Sequence, residues 1–282
     1  MKKTRTSSKN KIRNIPARVI CYVVVIIFLF LYLFPLFYVV NTSIKSSQDY
    51  MLHPTALTRT WQFGNFITAW NKANFGSYIG NSILYTVVCT TASLLMSLFI
   101  AFPISRKYIP FSGFFYAIFV AGLFLPNGMI PVFQIILHAG LYDTRLGYML
   151  IMTGVSATSV FFFVGNFKSI PKELDEAAAM DGCGYLHYVF SCVIPLAKPA
   201  VVSMGMLSMI GVWNDIVSST IYLTTESRYN ITRGLFVFQG QYSNDWTLTS
   251  AGLLIVAAPL IIAYIFGQRY IVDGIMAGGV KA

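Results

Sequence analysis

The feature that most constrains this chain is a set of six apolar stretches, at about 19–40, 78–102, 114–137, 147–167, 200–223 and 250–268. Each approaches the roughly 20 residues an α-helix needs to cross bilayer hydrocarbon. Lipid offers nothing for a free N–H or C=O to bond, so stretches this apolar are expected to be helices. The 282 residues are 56% hydrophobic and only 11% charged, less than half the roughly 25% charge of a soluble domain. A soluble globule is therefore excluded and an all-α membrane protein with six transmembrane helices is expected. Pro35, Pro126, Pro131 and Pro259 lie within or near these stretches and should kink them locally.

The net charge of +10 does not point to nucleic acid, because the basic residues flank apolar stretches. Seven of them, Lys2, Lys3, Arg5, Lys9, Lys11, Arg13 and Arg18, precede the first. With both termini inside the cell, the inner segments 1–18, 103–113, 168–199 and 269–282 hold 14 Lys and Arg, against 6 in the outer segments 41–77, 138–146 and 224–249. That bias favours cytoplasmic termini. The first apolar run is too long for a cleaved signal peptide and is expected to be retained. The organisation is thus a basic N-terminus (1–18), a six-span domain (19–268) and a cytoplasmic tail (269–282). Cys21, Cys89, Cys183 and Cys192 are scattered without metal spacing and are expected to be free thiols. Segment 41–77, with Trp61, Phe63, Phe66 and Trp70, is expected to be an amphipathic or interfacial element. The glycosylation-type triplets at Asn41 and Asn230 are weak matches.

Segment 171–199 is a polar island between apolar runs, and it holds Glu173, Asp175, Glu176 and Asp181 of only ten acids in the chain. Residues 172–180 are strong helix formers. Acids near that N-terminus suit the helix dipole, and Gly182 and Gly184 permit a sharp bend. Tyr185 onward is apolar again until Pro195 and Pro199. A short helix, a turn and a second short helix should result. Ala177, Ala178 and Ala179 give the first helix a small face that another surface can approach closely.

Glu176-Ala177-Ala178, Asp181-Gly182 and Ile194-Pro195-Leu196 resemble the coupling loop of bacterial ABC-importer permeases. Trp213-Asn214-Asp215 and the tail from Gln268-Arg269-Tyr270 to Gly278-Gly279-Val280-Lys281 add a resemblance to the second permease of maltose-type carbohydrate systems. Cys183 and Gly279 stand where that family commonly has alanine. The resemblance implies a type I permease fold in a bacterial cell membrane and no enzymatic activity. It implies a second homologous permease, two ATPase copies and an extracellular solute-binding protein as partners, with ATP and magnesium held by the ATPase. It places Glu176, Ala177, Ala178, Asp181 and Gly182 on the ATPase-docking surface, and Gly278, Gly279 and Lys281 near the same interface. The chain itself carries no phosphate-binding G-x-x-x-x-G-K-[ST] loop, which agrees with an external energy source.

Asp215 is the only acid inside an expected span. Such groups face a bundle interior or water, so Trp213, Asn214 and Asp215 are candidates for a solute pathway, with a structural hydrogen bond as the alternative. Gln239, Gln241 and Tyr242 are candidates for contact with the binding protein. The cargo expected from the resemblance is a sugar or oligosaccharide. An ABC permease for another solute keeps the mechanism, and an autonomous secondary transporter would need an ion-coupling site that the spans scarcely offer.

Overall fold

A computed structural model describes residues 15–126, 128–239 and 245–279. Among the described residues there are helices and no strands. The chain divides into two compact units, 1–70 with 238–255, and 71–237 with 256–282.

The first unit begins with α1 (Ile15–Ser43), which continues through Pro35 without breaking. Side chains along the run from Val19 to Phe37 are exposed in this single chain, as expected of a surface solvated by lipid. Beyond α1 the backbone is held by buried polar groups. Lys45, one of the outer basic residues of the sequence reading, is fully buried, and its Nζ donates to the carbonyls of His53 (2.7 Å) and Pro54 (3.2 Å). Asn41 donates to Ala56 O at 2.9 Å and accepts from Thr58 N, so its amide is committed to the fold and is a poor glycan acceptor. Ser46 caps α2 (Ser47–Leu52) by accepting from Asp49 N at 3.0 Å. The helix α3 (Gly64–Lys72) follows, and Trp61 and Phe63 stand exposed with ring centroids 5.9 Å apart.

The second unit is organised on α4 (Phe75–Arg106). Next come α5 (Ser112–Gly122) and α6 (Met129–His138), which together replace the continuous third span expected from sequence. The interruption includes Pro126 and Gly128, and a residue before proline is disfavoured in the helical region. The fourth stretch is a pair, α7 (Arg145–Met152) and α8 (Ala157–Lys168), bent by 44°. The fifth, expected over 200–223, is the helix Lys198–Trp213 followed by the short helix Val217–Tyr222. At its start it meets the helical segment Tyr185–Leu196 of the polar island at 84°. Pro195 and Pro199 flank that corner, and each lacks an N–H to continue a helix. The last helix, Trp246–Gly279, runs past Pro259 and beyond the expected end of the sixth span, taking in Gly278 and Gly279. Among the described residues three helices are therefore long and apolar enough to cross a membrane alone, and counting each bent pair as one span gives five.

The core of the second unit joins α4, α8 and both helical segments that meet at the 84° corner. Phe102, Val160, Phe163, Phe167, Val193 and Ala200 are buried there together. Phe102 is central, with the rings of Phe167 (5.6 Å), Tyr185 and Tyr188 (both 6.0 Å) around it. Ala178 and Cys183 of the polar island pack against the same cluster.

Candidate functional site

The polar island folds as helix, turn, helix. Its first helix, α9 (Glu173–Met180), carries Glu173, Asp175 and Glu176 in the opening turn, where carboxylates oppose the helix dipole favourably. The turn that ends it is a Schellman motif. Cys183 N–H bonds Ala178 O at 2.9 Å, and Gly182 N–H bonds Ala179 O at 3.1 Å. Gly182 has φ +70°, the left-handed conformation that a Cβ penalises. Gly184, expected to share the bend, has φ −66° and ψ 151°, which any residue adopts. We therefore expect Gly182→Ala to cost about 1 kcal/mol of local stability and Gly184→Ala much less. Hydrogen exchange across 176–186 in detergent should rise only in the first variant.

The second helix, α10 (Tyr185–Leu196), contains a π-helical stretch at Val189–Val193. Tyr188 and Val189 are buried against the α4 core, and Leu186 is 60% exposed. On α9, Met180 is 88% and Leu174 42% exposed. Glu176, Ala177, Ala179 and Asp181 are also exposed, whereas Ala178 is only partly so. Of the residues expected to dock a partner, Glu176, Ala177, Asp181 and Gly182 thus share an exposed surface, and Ala178 faces the core.

Asp175 was not singled out by sequence, yet it is the anchor of this element. Its side chain and that of Arg106, the last residue of α4, are 8% and 2% exposed, with Arg106 Nε 2.7 Å from Asp175 Oδ2. Arg106 Nη2 donates to Asp175 Oδ1 at 3.1 Å, and Nη1 donates to Ile170 O at 3.0 Å. Tyr108 donates to Oδ2 at 3.1 Å, and Tyr188 donates to Oδ1. Burial, then the Asp175 hydrogen bond and charge, push the Tyr188 phenol well above its ordinary pKa, so it remains a donor at any physiological pH. Burial raises Tyr108 in the same direction, assisted by Asp175. The Arg106 guanidinium lies 5.6 Å from the Phe102 ring centre, which joins the pair to the aromatic core.

The other expected site residues sit elsewhere. Trp213 is buried, donating Nε1–H to Val256 O at 3.0 Å, while its carbonyl accepts from Thr232 at 2.7 Å. Asn214 is exposed at the end of the Lys198–Trp213 helix. Asp215 accepts from Tyr148 OH (3.0 Å), Ser218 N (3.2 Å) and Ser219 N (2.8 Å), opening the short helix Val217–Tyr222. Asn230, of the second glycosylation-type triplet, is buried and bonds Asp215 O and Ser219. Gln239 is exposed, and Gln241, Tyr242 and Lys281 lie outside the described residues. Among the described residues no cluster of His, Cys, Asp and Glu could hold a metal ion.

A strap of loop from Thr224 to Arg233 completes this end of the second unit. Tyr78 donates to Glu226 (2.8 Å), Asn81 to the carbonyls of Ser227 and Tyr229, and Tyr85 to Arg228 O (2.8 Å). Asp143 accepts from Thr224 N (2.8 Å), Thr225 N (3.0 Å) and Thr225 OH, and pairs with Arg228 at 3.0 Å. Burial pushes the Asp143 pKa up, but the Thr225 and Thr224 hydrogen bonds together outweigh it, and the carboxyl is held well below its usual range. A depressed folded pKa contributes stability that is full above the ordinary value of about 4 and is lost as pH falls toward the folded one. The protection of 224–233 relative to intrinsic amide exchange should thus be flat from pH 7 to about 5 and fall below about 4. In Asp143→Asn protection should be lower at neutral pH and lack the acid-dependent loss.

Residues 73–275 match the family model described as the binding-protein-dependent transport system inner membrane component, a span that covers α4, α9 and most of the last helix. The chain belongs to that family. This importer-permease family is a transport family, and the all-helical chain is accordingly a multi-pass membrane protein. The permease is 34% identical to the probable ABC transporter permease protein YurM of Bacillus subtilis (strain 168), over 90% of this chain and 87% of YurM. It is 27% identical, across the full length of both chains, to the melibiose/raffinose/stachyose import permease protein MelC of the same organism. A chain in the crystal structure of a bacterial ABC transporter involved in import of the acidic polysaccharide alginate superposes with a TM-score of 0.82 at 25% identity, covering 95% of this chain and 99% of that one. The permease thus has the ABC-importer permease fold.

Proposed function

We propose that this permease is one of two related membrane subunits of an ATP-driven importer, and that α9 is the surface on which a cytoplasmic ATPase seats. The observation that carries the reading is the two-sidedness of α9. One side is fixed to the fold by Asp175 and Ala178, and the other presents Met180, Leu174, Glu176 and Ala177. Exposed apolar side chains ringed by acids, on a polar loop, fit a protein partner with a matching apolar cleft and basic rim. The excess of Lys and Arg in the segments assigned to the inside supports cytoplasmic termini and a cytoplasmic α9.

ATP and magnesium would then be bound by the ATPase, and this chain would do mechanical work. Closure of the ATPase changes which conformation of the permease it binds best, and the spans shift between inward-open and outward-open states. The cargo we assign is a sugar or oligosaccharide, delivered by an extracellular binding protein; relatives named for melibiose, raffinose and stachyose and for alginate support it. We assign Asn214, the exposed member of the polar triplet, to the pathway. Gln239, also exposed, is the described candidate for binding-protein contact, together with Gln241 and Tyr242. Gly278, Gly279 and Lys281 are assigned to the ATPase side.

Affinity purification of the permease from its native membrane in mild detergent is expected to recover an ATPase and a second permease, and ATP hydrolysis should rise when the sugar-loaded binding protein is added. Transport-competent permease with no ATPase attached would overturn the reading, and a binding protein that ignores sugars would overturn the cargo.

A further inference from the structure

We propose that Arg106, Asp175 and Tyr188 form the joint through which α9 moves α4, so that these two elements travel as one rigid piece when the ATPase moves. The inference rests on the docking role of α9 and adds the route by which motion leaves it. Three routes connect α9 to the spans. One covalent route is the four-residue link 169–172 from α8, and the other runs through the turn at Gly182, the π-helical stretch Val189–Val193 and the 84° corner before Lys198. The second contains a turn, an irregular helix and a break, each a place where a push can be absorbed. Neither covalent route reaches α4, and the third does so directly, from Asp175 across 2.7 Å to Arg106 at the end of a 32-residue helix.

The chemistry of the pair suits a joint. Its two charges are buried, and separating them would leave each without compensation in a low-dielectric setting. The carboxylate is fully occupied, by two guanidinium contacts and two phenols, and Arg106 also grips Ile170 O just ahead of α9. Tyr188 extends the grip to the second limb of the elbow. Below it, Phe102 stacks under Arg106 and touches the Tyr188 ring, so the joint continues into the α4–α8 core. Slippage would require breaking several bonds at once, which is what separates a joint from a single surface salt bridge worth about 1 kcal/mol or less. Arg106, Asp175 and Tyr188 are positioning residues in this scheme, because none of them touches solute or nucleotide.

The test uses the complete importer in liposomes, with loaded binding protein, reading two quantities: ATPase retained on the permease and solute imported per ATP hydrolysed. For Asp175→Asn we expect the ATPase to stay bound and the import-to-hydrolysis ratio to fall at least about fivefold, the lower end of typical coupling effects. Tyr188→Phe should lower the ratio less, and Asp175→Glu should recover part of what Asp175→Asn loses. An unchanged ratio in both Asp175→Asn and Tyr188→Phe would overturn the joint. Loss of the ATPase from either variant would overturn it too, making the cluster part of the docking surface. If Asp175→Asn fails to fold, so that no permease reaches the membrane, Tyr188→Phe, which deletes one hydroxyl, decides by the same ratio. A wild-type permease that retains no ATPase would instead overturn the docking reading itself.

Discussion

Glu176→Lys is expected to reduce uptake at least about tenfold, a cost of about 1.4 kcal/mol or more in coupling, while leaving membrane insertion and thermal stability within experimental error of wild type. The separation follows from position. Glu176 is exposed and forms no side-chain hydrogen bond or ion pair among the described residues, so its replacement removes from the fold only a surface interaction with the helix dipole, about 0.3–1 kcal/mol. A seated ATPase with a basic rim would meet a like charge instead of an opposite one. Juxtaposed like charges at an interface cost several kcal/mol, and one residue on the opposite side of the same turn supplies the control. Asp175→Lys should damage the permease itself, because its partner Arg106 is buried and would face a second cation. The pair of variants, compared by uptake and by melting temperature in detergent, distinguishes a docking face from an ordinary solvated helix. Normal uptake with Glu176→Lys would remove that residue from the docking surface.

Asp215→Ala is expected to destabilise the permease by about 3 kcal/mol, from the loss of three hydrogen bonds onto one carboxylate. Both Ser218 N and Ser219 N lose their acceptor, and the hydroxyl of the buried Tyr148, whose ring lies 4.8 Å from that of Tyr85 on α4, is left unpaired. Asp215→Asn keeps one acceptor oxygen and should cost about 1 kcal/mol, with uptake close to wild type. The discriminating result is the second one. If Asp215→Asn melts like wild type but no longer transports, the carboxylate acts on the solute path in addition to holding the turn. If stability and uptake fall in proportion through both variants, its contribution is structural, as the three donors converging on it suggest.

How much of this was legible in the sequence depended on the range of the interaction. The turn at Gly182 could be read directly, because four alanine-rich helical residues, an aspartate and a glycine encode a Schellman end within one helical turn. The corner before Lys198 was marked by Pro195 and Pro199 for the same reason. Hydropathy located the apolar stretches but not their continuity: α5 and α6 are as apolar as a single span, and a window average does not register the six-residue interruption between Gly122 and Met129. The joint at Asp175 was not readable at all. Its partner Arg106 lies 69 residues away and carries the same signature in the sequence as any basic residue capping a span. Likewise Tyr148 meets Asp215 across 67 residues, and only the fold shows that this acid, expected inside a span, already has three donors. Lys45 illustrates the converse error: counted among the outer charges, it is buried and spent on two carbonyls.

The central claim is that the exposed side of α9 seats an ATPase inside the cell. The most direct measurement is a photo-crosslinking residue placed at Ala177, which is exposed on that side and has a side chain too small to be missed, activated in native membranes and the adduct identified by mass spectrometry. The account predicts an adduct between α9 and a cytoplasmic nucleotide-binding subunit. An adduct with an extracellular protein, or labelling of that position by a membrane-impermeant reagent added outside intact cells, would contradict it.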